Sequence, residues 1–181
     1  MRHSSANFLG VCGWWREEKI FCIFVNVYAP CDYLGKKDLW LRLAEVKRRR
    51  GGVLWCFNGD FNVVKSDLEQ KGSILEWRRD DIRCFYEFIE DVELADLPLI
   101  GRKYTWYKPD GSCMSRLDRF LVSPTLLVQW RNFSQRGLSR GISDHCVVLL
   151  KFEDIDWGPK PFKVLDCWRF NPTFEGFVRE K

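Results

Sequence analysis

The stretch Val53-Leu54-Trp55-Cys56-Phe57-Asn58-Gly59-Asp60-Phe61-Asn62 changes from apolar to polar side chains at a single step. A short continuous apolar run such as residues 53–57 is typical of a strand that is buried on both faces of a sheet. A strand of this kind presents the polar residues that follow it at its carboxyl end. The stretch therefore predicts a buried strand that delivers Asp60 and Asn62 to the end of a sheet.

Strands and helices are predicted to alternate on both sides of this strand. Residues 7–12 and 19–28 are expected to form a hairpin around residues 13–15, followed by a helix over 38–50 that ends at Gly51-Gly52. Further on we expect a helix over 80–92, strands over 103–107 and 115–122 around a turn at 108–111, a short helix over 124–130 and a strand over 146–152. Such alternation favours an α/β fold with mixed sheets that are covered by helices.

Length and composition are those of one globular domain. The 181 residues are 46% apolar and 30% charged, which excludes disordered and fibrous chains. No uncharged run approaches the ~18 residues that a membrane span needs, so no membrane partner is expected. From residue 154 onward the pattern loosens, and we place the domain over residues 1–153 and a linker or tail over residues 154–181.

The spacing of the cysteines argues against two classes of site, and the net charge leaves the kind of partner open. None of the eight cysteines forms a C-x-x-C pair and the chain has two histidines, which argues against zinc-finger and thioredoxin-type sites. Cysteines within apolar runs favour reduced thiols of an intracellular protein over a disulfide framework. The net charge of +4 permits a polyanionic partner without demanding one.

Four short polar clusters stand at predicted strand ends or in loops. They are Asn26-Val27-Tyr28, Gly59-Asp60-Phe61-Asn62, Arg116-Leu117-Asp118 and Ser143-Asp144-His145. Carboxylates, an amide and an imidazole are the groups that the hydrolysis of a phosphodiester requires. A carboxylate can take a proton from water, and hard oxygen ligands can hold a divalent cation. A histidine can donate a hydrogen bond to a phosphoryl oxygen.

Each cluster also has a structural interpretation. Gly59-Asp60 could be a turn that ends a strand, and Asp118 could form a surface ion pair with Arg116 or Arg119. His145 could be a structural histidine, Asp144 a cap, and Tyr28 could simply pack. These separate explanations do not predict the order in which the clusters occur.

That ordered set, with Ala29-Pro30 after the first cluster and Arg119-Phe120-Leu121 after the third, resembles the endonuclease/exonuclease/phosphatase superfamily in its apurinic-endonuclease-like branch. The segment from Ala95 to Trp106 is most similar to the endonuclease domain of plant LINE-type non-LTR retrotransposons. Residues 158–162, with Trp168 and Phe174, resemble the segment that joins this domain to the reverse transcriptase.

The resemblance implies a four-layer αββα sandwich with its site at one edge of two packed sheets. It implies that Asp60 orients and deprotonates the attacking water, that His145 stabilises the phosphoryl oxygens and that Asp118 orients the imidazole. Asn62 and Tyr28 would contact the phosphate, and Asp144 would be a ligand at a site for Mg²⁺, with Mn²⁺ as the alternative. The expected substrate-binding residues are Asn26, Arg102 and Lys103.

The resemblance also predicts a DNA endonuclease of a retrotransposon, which nicks target duplex DNA to leave a 3′-hydroxyl. It further implies that a reverse transcriptase domain lies in the same polyprotein and that the enzyme acts in the nucleus. Family members carry an N-terminal strand with an Asn and a later strand with a metal-binding Glu, and nothing before Asn7 supplies either residue. We therefore expect the fold to lack its N-terminal strands and this chain to be inactive by itself. The alternatives are a catalytically dead remnant of such an element and another phosphoesterase of the same superfamily.

Overall fold

The computed structural model describes residues 2–16, 19–51, 53–72, 79–129 and 133–152. The helices are α1 (Tyr33–Arg48), α2 (Arg79–Asp91) and α3 (Pro124–Gln129), with a 3-10 turn at Asp67–Glu69. The strands are β1 (Arg2–Ser5), β2 (Phe8–Trp15), β3 (Ile20–Tyr28), β4 (Leu54–Asp60), β5 (Gln70–Lys71), β6 (Ala95–Asp96), β7 (Leu99–Ile100), β8 (Trp106–Tyr107), β9 (Met114–Ser115), β10 (Asp118–Val122), β11 (Phe133–Gly137) and β12 (Val148–Phe152).

The main sheet has six strands in the order β1-β2-β3-β4-β10-β6. Within it β3 and β4 are parallel, and the other neighbours are antiparallel. A second sheet has the order β12-β11-β7, and a small third sheet the order β5-β9-β8. This arrangement confirms the predicted α/β fold with mixed sheets.

The two faces of the main sheet pack against different layers. On one face, Val25, Trp55 and Phe57 lie in a single core with residues of α1 and α2. In that core the rings of Trp40 and Phe88 stack with centroids 4.9 Å apart. On the opposite face, the core joins Cys56 and Val122 of the main sheet to Leu126 of α3 and to Phe133 and Leu150 of the second sheet. Helices, main sheet and second sheet are therefore successive layers.

A buried glutamine joins the two large sheets through backbone groups. Gln135 of β11 is fully buried. Its Oε1 accepts a hydrogen bond from the backbone N–H of Phe120 in β10, and its Nε2 donates to the carbonyl of Leu97 at 3.0 Å. Because a buried amide must satisfy its polar atoms, this residue fixes how β11 sits against the main sheet.

Helix α1 begins five residues before the predicted start at residue 38. Asp32 is its N-cap, and Oδ1 of Asp32 accepts a hydrogen bond from the backbone N–H of Gly35 at 2.8 Å. The apolar periodicity that guided the prediction begins only at Leu39, whereas the cap acts about two turns earlier. The helix also ends at Arg48, before the two glycines.

Two strand predictions need correction. The hairpin of β2 and β3 turns after Trp15, which pairs with Ile20, and not at residues 13–15. The predicted strand 115–122 is two strands, because β9 pairs with β8 across the turn whereas β10 belongs to the main sheet. Strands β1 and β11 were not predicted, since their sequences are largely polar. Strands β5, β6 and β7 were not predicted either, since each has only two residues. The predicted tail at 154–181 lies outside the described residues.

Among the described residues, the seven cysteines are all free thiols, in agreement with the preference for reduced cysteines. No helix in the described part of the chain is long and apolar enough to cross a membrane.

Candidate functional site

Three neighbouring strands of the main sheet bring candidate residues to one end. In the parallel pair of β3 and β4, Tyr28 is the register partner of Asp60. In the antiparallel pair of β4 and β10, Asp60 is the register partner of Asp118. Residues in register on adjacent strands have side chains on the same face of the sheet. The three side chains therefore line one face at the end of the main sheet.

Glycine is required just before Asp60. Gly59 has φ +127°, and a Cβ on this residue would lie 2.1 Å from the carbonyl oxygen of Val27 in β3. The backbone conformation and the close approach of the neighbouring strand both exclude a side chain. Gly59 thus allows β4 to reach the sheet end in the orientation that presents Asp60.

The turn after β4 fixes Asp60 and Asn62 relative to each other. Oδ1 of Asp60 accepts a hydrogen bond from the backbone N–H of Asn62 at 2.8 Å, and Asn62 has φ +49°. The side-chain amide of Asn62 donates to the carbonyl of Ala29 at 2.7 Å. Asp60 and Asn62 are therefore held in a turn that is tied to the end of β3.

The imidazole of His145 lies beside two carboxylates. Its Nδ1 is 2.8 Å from Oδ2 of Asp118, and its Nε2 is 3.9 Å from Oδ2 of Asp60. A carboxylate accepts hydrogen bonds, so Nδ1 carries the hydrogen in this contact and Nε2 is directed towards Asp60. His145 and Asp118 therefore lie within hydrogen-bonding reach of each other.

The surroundings shift the pKa values of two of these groups. The hydrogen bond to Asp118 raises the pKa of His145, with partial burial acting against it and the charges of Asp118, Asp60 and Asp144 adding to it. Burial raises the pKa of Asp60, and the hydrogen bond from the backbone of Asn62 partly offsets that rise. The site thus contains a carboxylate of increased basicity and an imidazole that favours its charged form.

Asp144 is nearby but more exposed. Its Oδ2 accepts a hydrogen bond from the indole N–H of Trp106 at 3.0 Å, and this bond lowers the pKa of Asp144. Its backbone carbonyl accepts a hydrogen bond from Tyr107 at 2.9 Å. Asp144 is therefore an ionised carboxylate at the surface next to His145.

The three predicted substrate-binding residues do not form one group. Asn26 lies two residues before Tyr28 on the same exposed face of β3. The side chain of Arg102 lies against Gly137, and Nζ of Lys103 is 5.4 Å from the centre of the Tyr104 ring. Only Asn26 shares a strand face with a residue of the site.

The predicted alternative of an ion pair between Asp118 and a neighbouring arginine is wrong. Both arginines instead form a closed buried network with two carboxylates that are distant in sequence. Arg116 binds Glu69 at 2.9 Å and Asp96 at 2.7 Å, and Arg119 binds each of the same carboxylates at 2.8 Å. Asp118 stands between the two arginines in sequence, so this network anchors the backbone on both sides of it.

Sequence reasoning missed this network and the role of Thr105. The hydroxyl of Thr105 accepts hydrogen bonds from the backbone N–H groups of Leu117 and Asp118. Glu69 carries no local pattern that distinguishes it from a surface residue, and the resemblance of the segment from Ala95 to Trp106 assigned no role to Asp96 or Thr105. Within the arginine network, the one signal that the sequence offers is the presence of two arginines, Arg116 and Arg119, on either side of Asp118.

The described residues do not form a complete site for a divalent cation. No group of three or more His, Cys, Asp or Glu side chains in the described ranges is arranged to hold a metal ion. Mg²⁺ is commonly bound by one or two carboxylates together with water and substrate phosphate. Asp144 could supply one such carboxylate, and the remaining ligands would have to be water, substrate oxygens or groups outside the described residues.

Comparisons with known proteins match the chain by structure. No protein-family model matches the sequence. No curated protein matches it either.

Three solved structures show the likeness. The AP endonuclease LMAP from Leishmania major superposes with a TM-score of 0.66 at 15% identity, over 82% of this chain and 55% of that protein. The endonuclease domain of TRAS1, a telomere-specific non-LTR retrotransposon, gives 0.64 at 15% identity, over 83% and 64%. The 3′ phosphatase NExo from Neisseria, bound to product DNA hairpin, gives 0.58 at 19% identity, over 83% and 66%.

The chain thus spans roughly 55% to 66% of the length of these three proteins. At such low identity the likeness concerns the fold. The chain has the mixed α/β fold that AP endonucleases share with a retrotransposon endonuclease domain.

Proposed function

We propose that this chain is the phosphodiester-cleaving part of a retrotransposon endonuclease, which nicks target duplex DNA to leave a 3′-hydroxyl. The observation that carries the proposal is the convergence of Asp60, Asp118 and His145 at the end of the main sheet, with Nε2 of His145 3.9 Å from Oδ2 of Asp60. These residues come from separate clusters of the sequence. Their convergence supports the resemblance, which rests on the order of these clusters along the chain.

In this proposal Asp60 is the general base. Its buried carboxylate has a raised pKa, which makes it a better proton acceptor than an exposed aspartate. The backbone N–H of Asn62 occupies Oδ1, so Oδ2 is the oxygen that faces the imidazole. Oδ2 is therefore the atom that takes the proton from the attacking water.

His145 stabilises the negative charge on the phosphoryl oxygens. Its bond to Asp118 fixes the ring and favours the imidazolium, which donates from Nε2. The negative charges of Asp118 and Asp60 both favour the imidazolium. Positioning and electrostatics thus account for the contribution of this pair.

Substrate contacts are assigned to the exposed face beside the pair. Tyr28 is 65% exposed and stands next to Asp60, so its hydroxyl can reach a phosphate from solvent. Asn26 lies one step further along β3. Arg102 and Lys103 stand between β7 and β8 and would contact more distant phosphates.

We also propose that the activity requires a divalent cation, Mg²⁺ or Mn²⁺. Such a cation neutralises charge that develops on the phosphate and the leaving oxygen. Asp144 would contribute one carboxylate, with water and substrate oxygens completing the shell. Its lowered pKa keeps this carboxylate ionised for that role.

The choice of DNA as the substrate is supported by the neighbours. One is the endonuclease domain of a non-LTR retrotransposon, and another holds product DNA. A plant LINE origin, a reverse transcriptase domain in the same polyprotein and action in the nucleus belong to the same proposal and rest on the sequence resemblance.

The test is a plasmid-nicking assay in Mg²⁺, in Mn²⁺ and in chelator, with the purified chain and with a hybrid in which the N-terminal segment of a family member precedes it. We expect no nicking by the chain alone and metal-dependent conversion of supercoiled to nicked DNA by the hybrid. The nicks should be extended directly by a DNA polymerase, which requires a 3′-hydroxyl. In the hybrid, Asp60→Asn and His145→Ala should abolish nicking. Asp110→Asn is the matched control, because Asp110 is an exposed turn carboxylate bonded to Ser112.

Two other results would replace the proposal. Binding of duplex DNA by the hybrid without nicking under any metal condition favours the catalytically dead remnant. Hydrolysis of a phosphoinositide or a small phosphate ester, with no action on DNA, favours another phosphoesterase of the superfamily.

A further inference from the structure

The hydroxyl of Thr105 binds two consecutive backbone groups at the start of β10. Thr105 is completely buried, and its Oγ1 accepts hydrogen bonds from the N–H groups of Leu117 and Asp118, each at 2.9 Å. A hydroxyl oxygen has two lone pairs and can accept both bonds. The hydroxyl therefore fixes the backbone from which the Asp118 carboxylate projects.

The backbone of the same residue holds the segment that carries His145. The carbonyl of Thr105 accepts a hydrogen bond from the N–H of Cys146 at 2.7 Å. The next residue, Trp106, forms a β-bridge with His145. Thr105 thus connects the backbone at Asp118 with the backbone at His145 through its own atoms.

We propose that Thr105 is a positioning residue that sets the geometry between Asp118 and His145. The proposal deepens the proposed function, since that function uses the Asp118–His145 pair. A bond of 2.8 Å depends on placement, because hydrogen bonds weaken steeply when distance or angle departs from the optimum. A small backbone shift at Asp118 would change which ring nitrogen of His145 carries the hydrogen.

Another buried hydroxyl provides a matched control. Oγ of Ser123 accepts a hydrogen bond from the backbone N–H of Trp55 at 2.8 Å, and Ser123 is 8% exposed. It makes the same kind of bond at the opposite end of β10. Removing it tests the loss of a buried acceptor without touching either residue of the pair.

The experiment records long-range ¹H–¹⁵N correlations of the imidazole in the full chain, above the pKa of His145 so that the ring is neutral. A His3→Gln background leaves His145 as the single histidine. We expect the Nδ1–H form in the parent chain, in Thr105→Ser and in Ser123→Ala. Thr105→Val, which keeps the volume and loses the acceptor, should shift the ring towards the Nε2–H form.

Several results would overturn the proposal. A folded Thr105→Val chain that keeps the Nδ1–H form shows that the hydroxyl does not position the pair. A folded Thr105→Ser chain that loses this form shows that the methyl group matters instead. If Thr105→Val does not fold, the Thr105→Ser variant and amide hydrogen exchange of the parent chain test the proposal instead. Rapid exchange of the Leu117 and Asp118 amides in the parent chain would contradict their two bonds to the hydroxyl.

Kinetics provide a second readout in the hybrid, if it nicks DNA. Thr105→Val should lower kcat by about 10²-fold with little change in KM, as expected for misplaced reacting groups, and Thr105→Ser should restore most of the rate. A hybrid that cuts nothing contradicts the proposed function alone, since the imidazole spectrum of the chain still tests the role of Thr105.

Discussion

Oδ2 of Asp118 lies 2.8 Å from Nδ1 of His145, although the two residues are 27 positions apart in sequence. This contact raises the pKa of His145. We expect Asp118→Asn to lower that pKa, because the neutral amide cannot stabilise the imidazolium to the same extent. An NMR titration of the His145 C2 proton measures the pKa. Asp110→Asn is the control, which should leave the titration unchanged.

The same contact has a consequence for stability. A histidine whose folded pKa exceeds the unfolded value of about 6.5 stabilises the fold below that value. The contribution disappears as the pH rises through the folded pKa. Denaturation curves across this window should therefore differ in pH dependence between the parent chain and Asp118→Asn, and identical dependence would contradict the contact.

Gly59→Ala should strongly destabilise the fold. The added methyl group would meet the carbonyl of Val27 at 2.1 Å, and φ of +127° is unfavourable for alanine. We expect a loss of at least about 3 kcal/mol in the free energy of unfolding, measured by urea denaturation. Gly13→Ala, where a Cβ meets nothing within 4 Å, should change it by no more than about 0.5 kcal/mol. Equal effects of the two variants would refute the account of β4.

Arg119→Met should break the buried network. Burial alone would raise the pKa of Glu69, but Arg119 and Arg116 hold it below its usual value. Without Arg119, two buried carboxylates share one cation, and we expect a loss of about 3–5 kcal/mol in unfolding free energy. Arg42→Met removes an exposed pair with Asp38 and should cost less than about 1 kcal/mol. A small effect at Arg119 would show that the network is not fully desolvated.

Cysteine reactivity should follow burial. Cys31 is exposed, whereas Cys56 is buried and burial raises its pKa to about 12. In the native chain, iodoacetamide at neutral pH should modify Cys31 and leave Cys56 intact, because the thiolate is the reacting species. Mass spectrometry of digested protein measures this, and urea-unfolded protein is the control in which both must react. Native labelling of Cys56 would mean that the two large sheets separate readily.

Salt dependence should reveal which basic residues contact DNA. Lys103 and Arg140 lie over the rings of Tyr104 and Tyr107, close to the segment that pairs with His145. If each contacts one phosphate, its replacement by alanine should reduce the slope of log K against log salt by about 0.9. Arg48→Ala, on the far end of α1, should leave the slope unchanged. Fluorescence anisotropy with a labelled duplex measures it, and unaltered slopes for Lys103→Ala and Arg140→Ala would exclude phosphate contacts there.

The sequence alone determined the local features of this protein. The apolar run before Asn58 predicted β4 and the placement of Asp60 at its end, and the amphipathic spacing after Asp80 predicted α2 almost to its boundaries. Both are local, because burial and periodicity are properties of consecutive residues. The order of the polar clusters also identified the residues that converge at the site.

Only the tertiary structure decided what depends on distant partners. No local pattern assigns a role to Thr105 or Glu69, yet one fixes the backbone of Asp118 and the other pairs with both Arg116 and Arg119. The polar strand β11 forms because Gln135 is buried between the sheets and satisfies backbone groups there. These contacts join residues that are 12 to 50 positions apart. Their energy comes from burial that the folded chain creates, so no local pattern can signal them.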